Sequence, residues 1–382
     1  MLLSLSRREL DVRGRSAAES LARRVNDWGL VTRQARLHGL LPLIHRSLAS
    51  LEPGSVPPVT LEQASSYARG VAWRNLAMTH ELLRVLRLLD ARGIGVLNLK
   101  GPALAALVYG DLALREFNDL DLLVRRGDLM GARQMLEQEG YVVRTSMGPG
   151  QAAAQMDFEY HIPLYRQESQ TALELHWGIS KKSYAYPQLT DWWWAERHTL
   201  RLAGEDVHTL SPEAQLLFLC LHGSKHGWRS LGWVCDVAEL VRFSSSVDLD
   251  RVTRQAAASG VQRMLALGLL LASRLFEAPV PAARIPLFDH PQTLALASEA
   301  EVRLGTNVYE LASMADELSY QARLRERLGD RVRFFIRAAT TPNVSDLELV
   351  ALPPRLKGLY YLVKPVRLMA KWALGWRTNP RT

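Results

Sequence analysis

Asp119-Leu120-Asp121 places two carboxylates around one leucine, directly ahead of the apolar run Leu122-Leu123-Val124. In an extended strand, residues two apart point to one face. The two acids then converge on one side while Leu120 and Leu122 pack on the other. Two ionised carboxylates this close repel, and apolar neighbours make each charge costlier. A divalent cation removes that cost. Two such ions, roughly 3.5–4 Å apart, can activate an attacking hydroxyl and stabilise a leaving pyrophosphate. The third carboxylate that this chemistry needs is expected at Glu174. It sits between Leu173 and Leu175, so it alternates out of the core, with His176 two residues on along the same face. Asp119 and Asp121 are expected to bind both metals and Glu174 the catalytic one. Glu174 or Asp121 would stand nearest the attacking hydroxyl as its base.

Three basic stretches are candidates for meeting a triphosphate. In Lys100-Gly101-Pro102, Gly101 permits close backbone approach and the helix that follows offers its N-terminus to phosphate. Lys100 either neutralises that phosphate or only solvates a strand end. Arg115 carries a guanidinium fork suited to phosphate, or else bridges to Glu116 or Asp111. His222, Lys225, His226 and Arg229 recur at helical spacing in HGSKHGWR and share one face if the helix runs through Gly223 and Gly227. His222, Lys225 or His226 is expected to face the carboxylates and form the far wall of the nucleotide or acceptor site, all three being candidates for nucleotide binding. Asp236, within the apolar run WVCDVAELV, needs a cation, expected from this basic cluster. Cys220 and Cys235, with His222 and His226, lack the close cysteine pairs of a zinc site and read better as small buried hydrophobes.

The elements that must position these groups follow from hydrophobic period and breakers. Helical patterns cover 16–50 and, from Thr60, run to about Arg92. On the second pattern Trp73, Leu76, Leu82, Leu83, Leu86 and Leu89 take the apolar positions. The chain then alternates: a strand at 94–99, a helix at 103–109, a strand at 120–124, a helix at 128–139, and strands at 158–166 and 171–177. From Ser211 on it reads as helical, over 213–226, 231–243, 248–258, 260–276 and 293–329. The implied divisions are an N-terminal helical region 1–58, a core 59–210, a helical domain 211–350 and a basic amphipathic tail 351–382. The tryptophans of DWWWAE either stack a base or sugar or fill a domain seam.

The run LNLKGPALAALVYGDLALREFNDLDLLV, followed by LELHW and by LLFLCLHGSKHGWRSLGWVCDVAEL, resembles the uncharacterised nucleotidyltransferase family of bacteria. That family lies within the polymerase-β-like superfamily, and the likeness spans roughly residues 60–245. Its members are often encoded beside modified-peptide or polysaccharide biosynthesis genes. The resemblance implies an α+β fold with a mixed sheet, Mg²⁺ or Mn²⁺ as cofactor, and an NTP substrate, ATP foremost. It also implies transfer of a nucleoside monophosphate to a hydroxyl acceptor, such as a peptide or glycan precursor, with no nucleic acid required. By position the ligands carry over to Asp119, Asp121 and Glu174. The superfamily's usual Gly-Ser or Gly-Gly turn is replaced here by Lys100-Gly101-Pro102, so its serine contact to phosphate is missing. Two other readings stay open: a kinase using the same site, and a non-catalytic nucleotide-binding scaffold.

The composition fits this outline. The chain has 382 residues, 48% of them hydrophobic, and a net charge of +8, which suits a polyanionic partner without choosing one. Two cysteines exclude a disulfide framework and fit a reducing compartment. No apolar run reaches the length of a membrane span. A cytoplasmic protein is expected. The tail is a candidate for peripheral contact with an anionic membrane: Leu359, Tyr360, Tyr361, Val363, Leu368, Trp372 and Trp376 interleave with Lys357, Lys364, Arg367 and Lys371. The alternative is a docked helix with its cations in water.

Overall fold

The computed structural model describes residues 1–143, 149–187, 189–243, 247–306, 313–350 and 352–373. The fold is α+β. Its seven strands are β1 (Val96–Asn98), β2 (Asp119–Val124), β3 (Tyr141–Val143), β4 (His161–Arg166), β5 (Thr171–His176), β6 (Arg197–Leu202) and β7 (Glu205–Leu210). They form one mixed sheet in the order β3-β4-β5-β2-β1-β7-β6. β2 sits mid-sheet, antiparallel to β1 and parallel to β5.

Strand alternation sorts the side chains of this centre onto two faces. Leu120, Leu122, Leu173 and Leu175 join Leu82 and Leu89 of the helix Pro58–Asp90, and Met135 and Leu136 of the helix Leu129–Gln138, in one core. Leu97, Leu99 and Leu123 face a second core, shared with the N-terminal helices and with helices Pro212–Lys225, Leu231–Phe243 and Gln262–Phe276. Asp119, Asp121 and Glu174 therefore emerge on the side of the sheet that these helices cover.

Several elements differ from the sequence-based outline. β3, β6 and β7 are additional strands. β6 and β7 form a hairpin whose turn, Ala203-Gly204, has positive φ at both positions, the geometry that suits strand twist. β6 is an edge strand with mostly exposed side chains, so it lacks apolar alternation. The helix expected at 103–109 starts at Gly101 and changes to a π-helix over Ala105–Tyr109. Pro57 and Pro58, not Thr60, open the long helix. Its Trp73 and Leu76 are 74% and 53% exposed, outside the core they were expected to join. The 16–50 pattern resolves into Val12–Ala22, Trp28–Leu37 and Leu41–Ala49. The 293–329 pattern resolves into Pro291–Thr306 and Met314–Arg323, with residues 307–312 outside the described residues and Leu324 to Arg327 non-helical before the helix Leu328–Thr340.

The tail forms the helix Tyr360–Ala373. It docks through buried Tyr360, whose hydroxyl donates to Val350 O at 2.8 Å. Lys364 Nζ donates to Thr341 O at 3.0 Å and Arg367 pairs with Asp346 at 2.6 Å. These cations turn toward the body while Leu359, Leu362, Val366 and Met369 are exposed. That reverses the expectation of a docked helix with its cations in water, because buried Asp346 and a free carbonyl capture the charges. Trp376 and the Trp372 side chain lie outside the described residues. No helix among the described residues is long and apolar enough to cross a membrane.

Candidate active site

Asp121 and Glu174 are register partners on parallel β2 and β5, so their side chains leave the same face. His176, two residues past Glu174, places Nε2 3.1 Å from Asp121 Oδ1 and 3.1 Å from Glu174 Oε2. One ligand atom from each of Asp121, Glu174 and His176 lies within 4.8 Å of the others. Asp119 stands on the same face of β2, half-buried, and lines the same cavity, but it is outside that compact group. His161, opposite His176 across the β4–β5 pairing, stacks on it with ring centres 5.2 Å apart.

Charge in this cluster is finely balanced. Burial and the neighbouring Asp121 raise the Asp119 pKa. Burial would raise Asp121 too, but Lys100 Nζ at 3.2 Å from Oδ2, together with the His176 hydrogen bond, holds it well below the usual carboxylate range. Glu174 is likewise held low against burial, chiefly by His176. His176 answers in the opposite sense: burial favours the neutral ring, yet its two carboxylate partners raise its pKa. Lys100 is half-buried, which would lower its pKa, yet Asp121, Asp119 and Glu174 hold it above the ordinary lysine value. Lys100 and His176 thus offset part of the repulsion among the carboxylates.

The backbone around the cluster is set by specific contacts. Gly101 has φ +61, where an L side chain is strained, and it packs against the start of β2, with a Cβ position 3.4 Å from Asp119 O. Buried Asn75 of the long helix donates Nδ2 to Leu112 O at 2.6 Å and to Arg115 O at 2.9 Å. That pins the loop carrying Arg115. The Arg115 guanidinium forks onto Asp236, with Nε and Nη2 each 3.0 Å from a carboxylate oxygen. Tyr109, at the end of the π-helix, donates to the same carboxylate at 2.8 Å.

Facing the sheet, the helix Pro212–Lys225 buries Leu216, Leu217, Phe218 and Leu221. It passes Gly223, where the Trp228 ring packs in place of a side chain, and ends before Gly227. Lys225 Nζ donates to Tyr160 Oη and to Ile179 O, each at 3.2 Å. Burial and Lys100 lower its pKa to about 8. Burial drives His222 well below the ordinary imidazole value. Desolvation of the ring, and then the neighbouring Lys225, lower His226 as well, to about 3. Both rings instead make aromatic contacts with Trp233, at 5.2 and 5.5 Å.

Lys100, Gly101, Arg115, Asp119, Asp121, Glu174, His222, Lys225 and His226 all line one cavity of about 400 Å³. Two expectations need correction. Asp236 is paired by Arg115, not by the 222–229 cluster, because its side chain faces the π-helix and the loop before β2. His222 and His226 reach the cavity as neutral rings, since desolvation outweighs any anion within reach. The cysteines are both buried and free, and among the described residues they join no metal-binding group. Trp193 is fully buried against Phe218, filling a seam. Sequence reasoning missed Tyr160, His161, Asn75 and Trp233. His161 alone carried a usable signal, as a titratable residue opening an apolar strand.

What this cavity can do chemically is hold divalent cations and a polyphosphate between acids on the sheet and cations around them. The donor set fits such an ion: two carboxylates and an imidazole converge, and His176 Nδ1 has no hydrogen-bond partner among the described residues. Among solved structures, the antibiotic-resistance factor ANT(2'')-Ia is 15% identical, with 48% of this chain and 91% of that chain covered and a TM-score of 0.35. An antigenic nucleotidyltransferase-like protein from Paracoccidioides brasiliensis is 19% identical, with 57% and 95% covered and a TM-score of 0.28. Both likenesses are too remote to bear on this chain's chemistry. No curated protein matches the chain. The family model described as uncharacterised nucleotidyltransferase matches residues 24–277, well over half the sequence, and the chain belongs to that family of nucleotidyltransferases.

Proposed function

We propose that this nucleotidyltransferase is metal-dependent and moves a nucleoside monophosphate from an NTP to a hydroxyl acceptor. The observation that carries the reading is the convergence of Asp121, Glu174 and His176 within 4.8 Å, with Asp119 on the same strand face. Asp119, Asp121 and Glu174 would hold Mg²⁺ or Mn²⁺, both of which favour oxygen donors. His176 would steady the carboxylates by hydrogen bonding. Bound cations would polarise the α-phosphate and offset charge on the leaving pyrophosphate. The acceptor oxygen bonds to the α-phosphorus, the α–β bridging P–O bond breaks, and the acceptor proton passes to a cleft carboxylate. Lys100, Arg115 and Lys225 surround the place where the triphosphate would lie. The neutral rings of His222, His226 and Trp233 suit the base or an uncharged part of the acceptor. ATP is the first NTP to test, and a peptide or glycan precursor the first acceptor.

The tail reading is peripheral membrane contact. It is supported by the exposed stripe Leu359, Leu362, Val366 and Met369, beside exposed Val332, Phe335 and Ile336 of the neighbouring helix.

The metal reading is tested by Mn²⁺ titration followed by electron paramagnetic resonance. Saturable Mn²⁺ binding to the wild type, lost in Asp121→Asn, is expected. Equal binding by both proteins would remove the metal from this site.

A further inference from the structure

A second cavity, of about 580 Å³, lies past the carboxyl ends of β2 and β5. It shares Tyr160 and Tyr186 with the first. Tyr160 stands between them, its hydroxyl accepting from Lys225 at 3.2 Å on the catalytic side. Arginines reach the second cavity from two directions. Arg125 follows directly after β2 and lies over the Trp194 ring at 4.5 Å. Arg333 and Arg337 stand one turn apart on the helix Leu328–Thr340.

The acids of this cavity do not cancel these cations. Asp157 is already paired with Arg126 at 3.1 Å and Lys357 at 2.7 Å, and Glu159 with Lys181 at 3.2 Å. Arg333 has Asp330 at 3.2 Å, while Arg125 and Arg337 have no carboxylate partner among the described residues. Asp191, at the rim, is the remaining acid.

We propose that the second cavity binds the acceptor, and that the acceptor is a hydroxyl compound carrying a phosphomonoester. This rests on the nucleotidyl-transfer reading and adds the acceptor's chemical class. Guanidinium forks converging from two elements suit a tetrahedral dianion. The cavity far exceeds a bare phosphate, and Trp177, Trp194, Tyr160 and Tyr186 line the space left for the rest of the molecule. With its phosphate held there, the body of the acceptor extends past Tyr160 and brings its hydroxyl toward the carboxylates.

The test uses full-length protein with the first cavity filled by the α,β-methylene analogue of whichever of ATP, GTP, CTP or UTP binds. Inorganic phosphate and ribose 5-phosphate are then titrated by ³¹P NMR. Saturable binding of both is expected in the analogue-loaded wild type, weakened about tenfold in Arg333→Ala and in Arg337→Ala. Analogue affinity should be unchanged in these variants. Phosphate binding that the analogue displaces, that both variants retain, or that is absent throughout would overturn the proposal. If no analogue binds, the nucleotidyl-transfer reading fails separately. Phosphate titration of the nucleotide-free variants then decides the second cavity by the same comparison.

Discussion

Arg115 and Asp236 form a buried, forked ion pair that ties the loop before β2 to the helix Leu231–Phe243. One partner lines the carboxylate-bearing cavity and the other lies behind it, so the pair fixes where the guanidinium can point. Removing one member of such a pair leaves an uncompensated charge. Asp236→Ala should therefore lower stability by roughly 3–5 kcal/mol, read by urea unfolding. A change below about 1 kcal/mol would mean that Arg115 finds other partners at no cost.

Asp119→Asn should cut metal-dependent turnover at least about 100-fold, since loss even of groups outside the ligand shell costs 10–100-fold. Folding should survive. The Asp119 pKa is raised in the fold, so the stability tied to its proton is present at low pH and lost as pH rises through the folded value. At neutral pH the amide removes repulsion from Asp121, and the metal-free melting temperature should hold or rise slightly. A large drop would make Asp119 a structural residue.

Lys225 gives a pH dependence with a definite sign. Its pKa is about 8 in the free protein, and a bound triphosphate favours the ammonium and raises that value. NTP binding should take up a proton above pH 8, and affinity should fall as pH rises from 8 toward the pKa of the complex. Lys225→Ala should weaken NTP binding roughly 10–100-fold at pH 7 and abolish that slope. His226→Ala, which removes a neutral ring, should change triphosphate affinity far less. Isothermal titration in buffers of different ionisation enthalpy reads both effects. Equal losses in the two variants would contradict the assignment of charge to Lys225.

The tail's exposed stripe predicts a mode of membrane contact. Lys357, Lys364 and Arg367 are engaged with the body, so binding to anionic vesicles should depend mainly on apolar contact and resist salt. Flotation with phosphatidylglycerol vesicles at low and high salt should recover the wild type in both and lose a Leu362→Asp, Val366→Asp double variant. Binding that vanishes in salt, or no binding at all, would remove this reading.

The carboxylate strands were legible because alternation is a local property: Leu120, Leu122, Leu173 and Leu175 mark the buried face, and the acids between them must take the other. Gly101 was expected to let a phosphate approach the backbone; its positive φ, beside the start of β2, came only with the structure. The partner of Asp236 was not legible. Arg115 is 121 residues away, and only the packing of two helices and a π-helical turn brings them together. Nor was the neutrality of His222 legible, since spacing along a helix carries no measure of desolvation. The tail failed on the same ground: its amphipathic pattern was visible, but which side would dock depended on Asp346 of the helix Val344–Leu349 and on Thr341, which ends the helix Leu328–Thr340.

The central claim is that the α-phosphorus, not the γ-phosphorus, is transferred. The most direct measurement incubates the enzyme and Mg²⁺ with α-³²P- or γ-³²P-labelled NTP and a small-molecule and peptide extract of the producing cells. The account predicts that α label enters an acceptor product with one pyrophosphate released per transfer, and that Asp121→Asn abolishes both. Transfer of the γ label with release of nucleoside diphosphate would contradict it, as would α transfer that survives in Asp121→Asn.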